Sequence, residues 1–203
     1  MKLYCHPQSR SNTILPLLKE LDIEDQVELI ELEYGTTMRS TEYLALNPLG
    51  KVPCLVDDDA VISETPAIFA YLADKYAEKG FAPALHDPKR GEYYKWLFFG
   101  HGPVTEFMNI KALNIPPETL AKQRGSISFG DEEAMMNFLR QGLSHAKPYL
   151  LGEQITVADL YLAYWLAFGI SFKIIPYDDA FKPFLNTIKQ RDAVKDVSWF
   201  QAI

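Results

Sequence analysis

The first thirty residues combine two hydrophobic periodicities. The segments Lys2–Cys5 and Val27–Leu32 read as short strands, the second because its apolar residues alternate with polar ones. Between them, the apolar residues of 14–21 recur at helical spacing and predict a helix. A strand, a helix and a second strand over this length predict a parallel pair of strands joined by a right-handed crossover.

A second set of elements is predicted before residue 80. Residues 40–46 favour a short helix, and residues 52–56 and 61–62 favour a β-hairpin. From residue 65 the apolar spacing is helical again and ends near Gly80. Residues 1–77 are therefore predicted to form an α/β unit, a four-stranded mixed sheet with helices packed on it.

The remainder of the chain has a different pattern. Residues 77–88 contain one Gly and two Pro without periodicity, which is typical of a linker. Residues 88–203 are predicted to form an all-α unit, with Pro116–Pro117 and Gly125–Gly130 interrupting it. The helical stretches are 88–109, 131–147, 156–173 and 181–190.

Charge and composition exclude several function classes. The chain has 20 basic and 27 acidic residues, a net charge of −7, and no run of Lys or Arg. This balance disfavours nucleic acid and anionic membrane surfaces as partners. The longest apolar stretch is too short to span a membrane, and no apolar signal segment is visible at the N-terminus. The two cysteines form neither a disulfide framework nor a zinc motif, so we expect a reduced, cytoplasmic protein without a metal.

The first candidate site is the start of the first helix. Ser9, Ser11 and Asn12 precede the helical pattern, where unpaired backbone N–H groups and the helix dipole favour an anion. A hydroxyl there can also donate a hydrogen bond to that anion. Simple helix capping explains a serine at this place equally well. No G-x-S-x-G motif is present, which disfavours a Ser-His-Asp hydrolase.

The second candidate segment is NPLGKVP, residues 47–53. A proline cannot donate to a strand ladder, so Pro53 marks an edge or a start of a strand. Val52 could then offer its own N–H and C=O to an extended, peptide-like ligand. The alternative is an ordinary turn leading into a strand.

The third segment is ISETPAI, residues 62–68. A strand is predicted to end at Ser63 and a helix to begin near Pro66, which places Glu64 and Thr65 at a second helix N-terminus. Capping alone would explain these residues as well. The convergence of all three segments on one side of a small sheet nevertheless favours a binding site.

These motifs resemble those of the cytosolic glutathione transferases, over essentially the whole chain. The resemblance is carried by HPQS at 6–9, NPLGKVP at 47–53, SETPAIFAYLA at 63–73 and GEQITVADLYLA at 152–163. In the last motif, Thr156 and Asp159 form a capping box that starts a core helix. The resemblance implies a thioredoxin-like glutathione-binding domain over 1–77. It further implies a helical domain over 88–203 that forms the electrophile site and much of a homodimer interface.

The resemblance also implies roles for individual residues. It is closest to the bacterial or fungal type with a serine active site, in which Ser9 donates a hydrogen bond to the thiolate of the co-substrate glutathione. The Val52–Pro53 bond would be cis, with Val52 pairing its backbone with the cysteinyl part. The implied glutathione-binding set is Ser11, Arg39, Lys51, Val52, Pro53, Glu64 and Thr65.

Two residues depart from the family pattern, and several roles stay open. Thr65 stands where Ser is commoner in the family, but the hydroxyl is kept, so we expect binding to be retained. Pro16 requires either a kinked first helix or a late start, and a late start would bring Ser11 rather than Ser9 close to the sulfur. The resemblance implies that the second domain binds a small apolar electrophile, and the twenty of 26 aromatic residues that follow residue 80 are compatible with that role. The candidate pocket residues are His101, Phe107, Trp165 and Phe168. The sequence assigns no chemistry to Cys5, His6 or residues 125–130.

Two alternatives to a conjugating transferase remain at this point. A non-catalytic member of the family would act as a binding or regulatory module. A glutathione-dependent peroxidase or dehalogenase would use the same thiolate on another substrate. An isomerase of the maleylacetoacetate type is disfavoured, because its first-helix motif rich in Ser and Cys is absent.

Overall fold

A computed structural model describes residues 1–203 and divides the chain into two units, Met1–Lys79 and Gly80–Ile203. The first unit is built on a four-stranded sheet with spatial order β2-β1-β3-β4. Strands β1 and β2 are parallel, whereas β3 is antiparallel to both β1 and β4. This mixed sheet confirms the predicted α/β, thioredoxin-like class. The strands are β1 (Lys2–Cys5), β2 (Glu28–Glu31), β3 (Cys54–Asp57) and β4 (Ala60–Ser63).

The sheet of the first unit is covered on both faces. Its helices are α1 (Ile14–Leu21), α2 (Thr41–Leu46) and α3 (Thr65–Lys75), all close to their predicted positions. Cys54 and Tyr4 lie in one apolar cluster with Tyr43 of α2. Since side chains alternate along a strand, their neighbours Leu3 and Leu55 point to the opposite face, where both are completely buried.

The regular part of the first helix begins after the candidate serines, at the first residue of its apolar pattern. Ser9 caps a 3₁₀ turn at Arg10–Thr13, and the regular helix α1 starts only at Ile14. Pro16 therefore lies in the first turn of α1, where a missing N–H costs no hydrogen bond. Of the two explanations for Pro16, the structure supports the late start and not the kink.

The second unit packs around one central helix, α8 (Val157–Ser171), which is buried along nearly its whole length. A helix that is apolar on all sides is typical of a core helix. No helix is both long and apolar enough to cross a membrane. The surrounding helices are α4 (Lys89–Phe99), α5 (Thr105–Ala112), α6 (Pro117–Lys122), α7 (Glu132–Ser144), α9 (Lys182–Lys189) and α10 (Ser198–Gln201).

One helical prediction for the second unit needs correction. The predicted helix 88–109 is divided by a π-helical turn at Gly100–Val104, which contains Pro103. The predicted interruption at Pro116–Pro117 is present: α5 ends at Ala112, Pro116 is extended, and Pro117 is the first residue of α6, a position where its missing N–H is harmless. The short helix α10 was not predicted, since four residues are too few to show a periodicity.

The predicted capping box at the start of α8 is present, and its Asp159 also binds the loop that precedes the helix. The fully buried Asp159 carboxylate accepts hydrogen bonds from the Thr156 N–H at 2.8 Å and the Thr156 hydroxyl at 2.7 Å. It also accepts one from the Leu150 N–H at 2.7 Å, which ties the preceding loop to the helix. Burial raises the pKa of Asp159 from 3.8 to about 6, although these donors oppose the shift.

We predict that Asp159→Asn destabilises the protein by about 1–3 kcal/mol, because an amide group cannot accept at both oxygens. The native state binds a proton at Asp159 more tightly than the unfolded chain does, since the pKa is raised. The contribution of Asp159 to stability is therefore largest below its unfolded pKa and is lost as pH rises through the folded pKa. The difference in free energy of unfolding between wild type and variant should consequently increase by about 1 kcal/mol when the pH is lowered from 7 to 5. Urea unfolding at the two pH values measures it. A deficit that shrinks on acidification would contradict this.

A second prediction concerns Gly142 in α7, where a Cβ atom would overlap the indole ring of Trp96. Alanine favours a helix by about 1 kcal/mol over glycine, but overpacking a core costs about 1–3 kcal/mol. Gly142→Ala should therefore lower the free energy of unfolding by up to about 2 kcal/mol, measured by denaturant titration. The matched control is Gly91→Ala in α4, where a Cβ meets nothing within 4 Å, and it should stabilise the protein. Equal effects of the two substitutions would rule out the overlap.

Candidate functional site

The strand register brings the three candidate segments to one edge of the sheet. Tyr4 of β1 pairs with Cys54 of β3, which pairs with Ser63 of β4, so these residues form one row across three strands. Just beyond this row β1 and β4 end and β3 begins. The segments that follow β1, precede β3 and follow β4 therefore leave the sheet at the same edge, which confirms the predicted convergence.

Ser9 and Ser11 share one hydrogen-bond network around the backbone of His6. Their Oγ atoms lie 2.5 Å apart, and the His6 carbonyl oxygen lies within hydrogen-bond distance of both hydroxyls, at 2.8 and 3.0 Å. The Ser9 Oγ accepts from the Ser11 N–H at 3.1 Å, and the Ser11 Oγ accepts from the His6 N–H at 3.0 Å. Ser11 is only 1% exposed, whereas Ser9 is half-buried. Although the regular helix starts late, the buried serine is Ser11, so Ser9 is the more accessible of the two and the late start does not favour Ser11 as expected.

The Lys51–Val52 peptide group is held from one side only. The Lys51 carbonyl accepts from the Asn47 side-chain amide at 2.8 Å and from the Tyr43 hydroxyl. Burial raises the pKa of Tyr43 far above its usual range, so this phenol remains a donor. In a trans peptide the N–H points opposite to the C=O, so the Val52 N–H points away from both donors. Neither the N–H nor the carbonyl of Val52 has a hydrogen-bond partner within the chain.

The sequence predicted a place in the site for Pro53 but not for Tyr43. The Val52–Pro53 peptide bond is cis, as the resemblance implied. Tyr43 was not among the candidate residues, because in the sequence it is one more apolar position of a short helix. Its contact with the Lys51 carbonyl depends on the path of the loop between α2 and β3, which no sequence pattern reports.

The start of α3 combines backbone strain with an uncapped helix end. Glu64 precedes α3 with φ 69° and ψ 117°, a conformation that non-glycine residues rarely adopt and that costs about 1–3 kcal/mol. Its side chain does not cap the helix, and Thr65 is buried directly beside it. An uncapped N-terminus of an eleven-residue helix is a favourable place for a carboxylate.

Arg39 and Lys51 supply positive charge to the same edge. The Arg39 guanidinium lies against Gly50, with one nitrogen 3.1 Å from the place a Cβ would occupy. Gly50 has φ 60°, and a Cβ there would also lie 2.7 Å from the Met38 carbonyl oxygen, so a glycine is required. Both cationic side chains are exposed, and neither forms an ion pair.

The four candidate pocket residues of the second unit fall into two groups. Phe107 and Trp165 are 1% and 5% exposed and form part of the helical core. His101 is half-buried on the π-helical turn, a type of turn frequent at functional sites, and its Nδ1 lies 3.0 Å from the Tyr161 hydroxyl. Phe168 is half-buried too. Its ring contacts those of Phe172 and Trp199, with centroids 4.7 and 5.2 Å apart.

Comparison with known sequences places the chain among glutathione S-transferases. Residues 1–74 match the family described as the N-terminal domain of glutathione S-transferase. A zeta-class glutathione S-transferase of Euphorbia esula is 33% identical over 173 residues, which are 80% of this chain and 72% of the relative. Glutathione S-transferase 1 of Schizosaccharomyces pombe is 30% identical over 165 residues, 75% of this chain and 68% of the relative.

Solved structures of glutathione transferases resemble this chain over its full length. The bacterial glutathione transferase BphK, determined as a ternary complex, is 30% identical with a TM-score of 0.74, covering 100% of this chain and 98% of the other. A sphingomonad glutathione S-transferase complexed with glutathione is 26% identical with a TM-score of 0.71, again covering 100% and 98%. The chain therefore belongs to the glutathione S-transferase family of enzymes.

Proposed function

We propose that the protein binds glutathione at the sheet edge of its first unit and transfers the glutathione thiolate to apolar electrophiles. The observation that carries this proposal is the row formed by Tyr4, Cys54 and Ser63. It brings a serine hydroxyl, a backbone segment without partners and an uncapped helix N-terminus to one edge. These groups complement a tripeptide with a central sulfur, peptide N–H and C=O groups, and terminal carboxylates.

The backbone of Val52 is the proposed partner of the cysteinyl part of glutathione. Its N–H and C=O have no partner in the chain, so an extended peptide can pair with them as it would with a strand. Because Asn47 and Tyr43 hold the adjoining Lys51 carbonyl, the N–H is oriented before the ligand arrives. Pro53 follows directly and leads into β3.

The two ends of glutathione require opposite charges. The α-carboxylate of the γ-glutamyl end suits the N-terminus of α3 with the Thr65 hydroxyl, and its ammonium group suits the Glu64 carboxylate. Arg39 and Lys51 are the proposed partners of the glycyl carboxylate, since both present a cation without an ion-pair partner. The arrangement explains why an acidic protein can bind an anionic tripeptide.

Ser9 is the proposed catalytic residue, with Ser11 as its structural neighbour. A free thiol with a pKa of about 8.5 is only about 3% ionised at pH 7. Lowering that pKa by two units requires about 2.7 kcal/mol, which a hydroxyl donor together with a helix N-terminus can supply. The Ser9 hydroxyl can turn from the His6 carbonyl to the sulfur, because Ser11 lies within reach of the same carbonyl.

The electrophile is proposed to meet an aromatic surface of the second unit. Phe168 with the adjoining rings of Phe172 and Trp199 forms an apolar patch with exposed area. His101 is the polar candidate, since its imidazole is held by Tyr161 and remains half-exposed. Such surfaces suit soft, apolar substrates.

We predict that Ser9→Ala lowers conjugation of an aryl halide by roughly 10- to 100-fold near pH 7, the effect of losing up to 2.7 kcal/mol of thiolate stabilisation. The variant should still be retained on a glutathione matrix.

Ser11→Ala should lose thermal stability but keep more turnover than Ser9→Ala. Thr65→Val should lose retention on the matrix, because it removes the hydroxyl at the α3 N-terminus.

Four results would change this assignment. A more damaging Ser11→Ala would transfer the sulfur contact to Ser11. A wild-type protein that binds glutathione without conjugating would favour the binding or regulatory module, and conversion of peroxides or halides alone would favour the peroxidase or dehalogenase. A wild-type protein that neither binds nor conjugates would refute the site altogether.

The assembly proposed with this function is a homodimer. Tyr94 and Phe98 lie on one face of α4 with ring centroids 6.1 Å apart, and Phe98 is 60% exposed. Exposed aromatic side chains of this size are enriched at interfaces between proteins. A second copy of this chain is the partner that the family resemblance implies for this helical domain.

The dimer is tested by light scattering on wild type, Phe98→Asp and Phe172→Asp. Wild type should give twice the 23.1 kDa monomer mass. Phe98→Asp should shift the mass towards the monomer, whereas Phe172→Asp, a residue of nearly equal exposure at 59%, should leave the mass unchanged. A monomeric wild type would contradict the dimer, and dissociation by Phe172→Asp alone would place the interface elsewhere.

A further inference from the structure

The ring of His6 takes part in none of the steps above, yet it holds the loop that presents Ser9. Its Nδ1 accepts a hydrogen bond from the Gln8 N–H at 3.0 Å. The ring packs against Tyr34 with centroids 4.4 Å apart, and the side chain is only 11% exposed. His6 thus contacts the segment Pro7–Ser9 through its side chain as well as through its backbone.

The loop after β2 holds this arrangement from the other side. Because Nδ1 accepts, the proton of the neutral imidazole lies on Nε2, which is 3.7 Å from a Glu33 carboxylate oxygen. The Tyr34 hydroxyl donates to the Gln8 carbonyl at 3.3 Å. Gln8 is therefore held at both its N–H and its C=O.

The constraint on Gln8 acts directly on Ser9. The Gln8 carbonyl belongs to the peptide group that joins the two residues, so fixing that group limits the directions open to the Ser9 Oγ. A hydrogen-bond donor must lie within about 3 Å of the charge that it stabilises, so a misplaced loop would lose the interaction. Nothing else in the structure fixes both polar groups of the Gln8 backbone.

We propose that His6 is a positioning residue, whose unprotonated Nδ1 holds the Gln8 amide and thereby aims the Ser9 hydroxyl at the glutathione sulfur. This inference rests on the proposed function. The role requires an acceptor atom at the position of Nδ1, and not an aromatic ring as such.

The charged and titratable groups around His6 are few. The Glu33 carboxylate faces Nε2, and the Tyr34 phenol packs against the ring. Cys5 precedes His6 in the chain, and burial raises the pKa of the Cys5 thiol, which favours its neutral form. Arg10 follows four residues after His6. None of these groups accepts the hydrogen bond of the Gln8 N–H, which the His6 Nδ1 accepts.

Two substitutions at His6 distinguish the contribution of its acceptor nitrogen from that of its aromatic ring. In His6→Asn the side-chain oxygen lies near the position of Nδ1, so an acceptor remains but cannot titrate. In His6→Phe a ring remains against Tyr34 but offers no acceptor. The measurements are kcat, KM for glutathione, and the pKa of the bound thiol from the ultraviolet absorbance of the thiolate.

We expect His6→Phe to raise the pKa of bound glutathione by about one unit and to lower kcat about tenfold, with KM for glutathione nearly unchanged. His6→Asn should recover most of kcat at pH 7 and most of the lowered pKa of the bound thiol, because its side-chain oxygen restores an acceptor. His145→Asn, an exposed histidine of the second unit, is the control and should leave both quantities as they are in wild type.

The outcomes separate this inference from the proposed function. Full kcat and an unchanged thiol pKa in His6→Phe would overturn the positioning role. Equal losses in both variants, accompanied by lower thermal stability, would show a purely structural residue and overturn it as well. Absence of conjugation by wild type would refute the proposed function itself, whereas an active wild type with an indifferent His6→Phe refutes only the role of His6.

Discussion

The pairing of β3 with both of its neighbours is the constraint on which the candidate site depends. Cys54 pairs with Tyr4 on one side and with Ser63 on the other, and the loops bearing Ser9, Val52 and Glu64 leave the sheet just beyond these residues. A slip of one residue in either ladder would turn buried side chains such as Leu3 towards the wrong face. The apolar core therefore determines the spacing of polar groups that never contact it.

At this sheet edge, hydrogen bonds within the chain orient the polar groups of the candidate site. The proposed ligand would leave these hydrogen bonds intact. Asn47 and Tyr43 hold the Lys51 carbonyl, and the backbone of Glu64 stays in a strained conformation at the start of α3. Strain of about 1–3 kcal/mol persists only where the surrounding structure enforces it. Groups that are already oriented lose little conformational entropy when a ligand binds. The strain therefore lowers the stability of the free protein slightly in exchange for a higher affinity.

Sequence patterns predicted those parts of the fold that depend on local chemistry. Helix α8 was predicted within two residues at either end, because the capping box of Thr156 and Asp159 marks its start. The π-helical turn around Pro103 escaped prediction, since a proline alone does not distinguish a break from a bulge. The contacts of the Tyr43 and His6 side chains escaped prediction for a different reason. Each depends on backbone groups of a loop whose path is a tertiary property.

The presence of two serines around one carbonyl has an energetic consequence for the proposed chemistry. Leaving a desolvated carbonyl without a donor costs about 1–3 kcal/mol, which is comparable to the ~2.7 kcal/mol needed to lower the pKa of the thiol by two units. If Ser9 were the sole donor to the His6 carbonyl, turning its hydroxyl to the sulfur would cancel most of the gain. Ser11 lies 3.0 Å from the same oxygen and is buried where a ligand has little access to it. The carbonyl therefore keeps a donor throughout, and the Ser9 hydroxyl can be exchanged between protein and substrate at little cost.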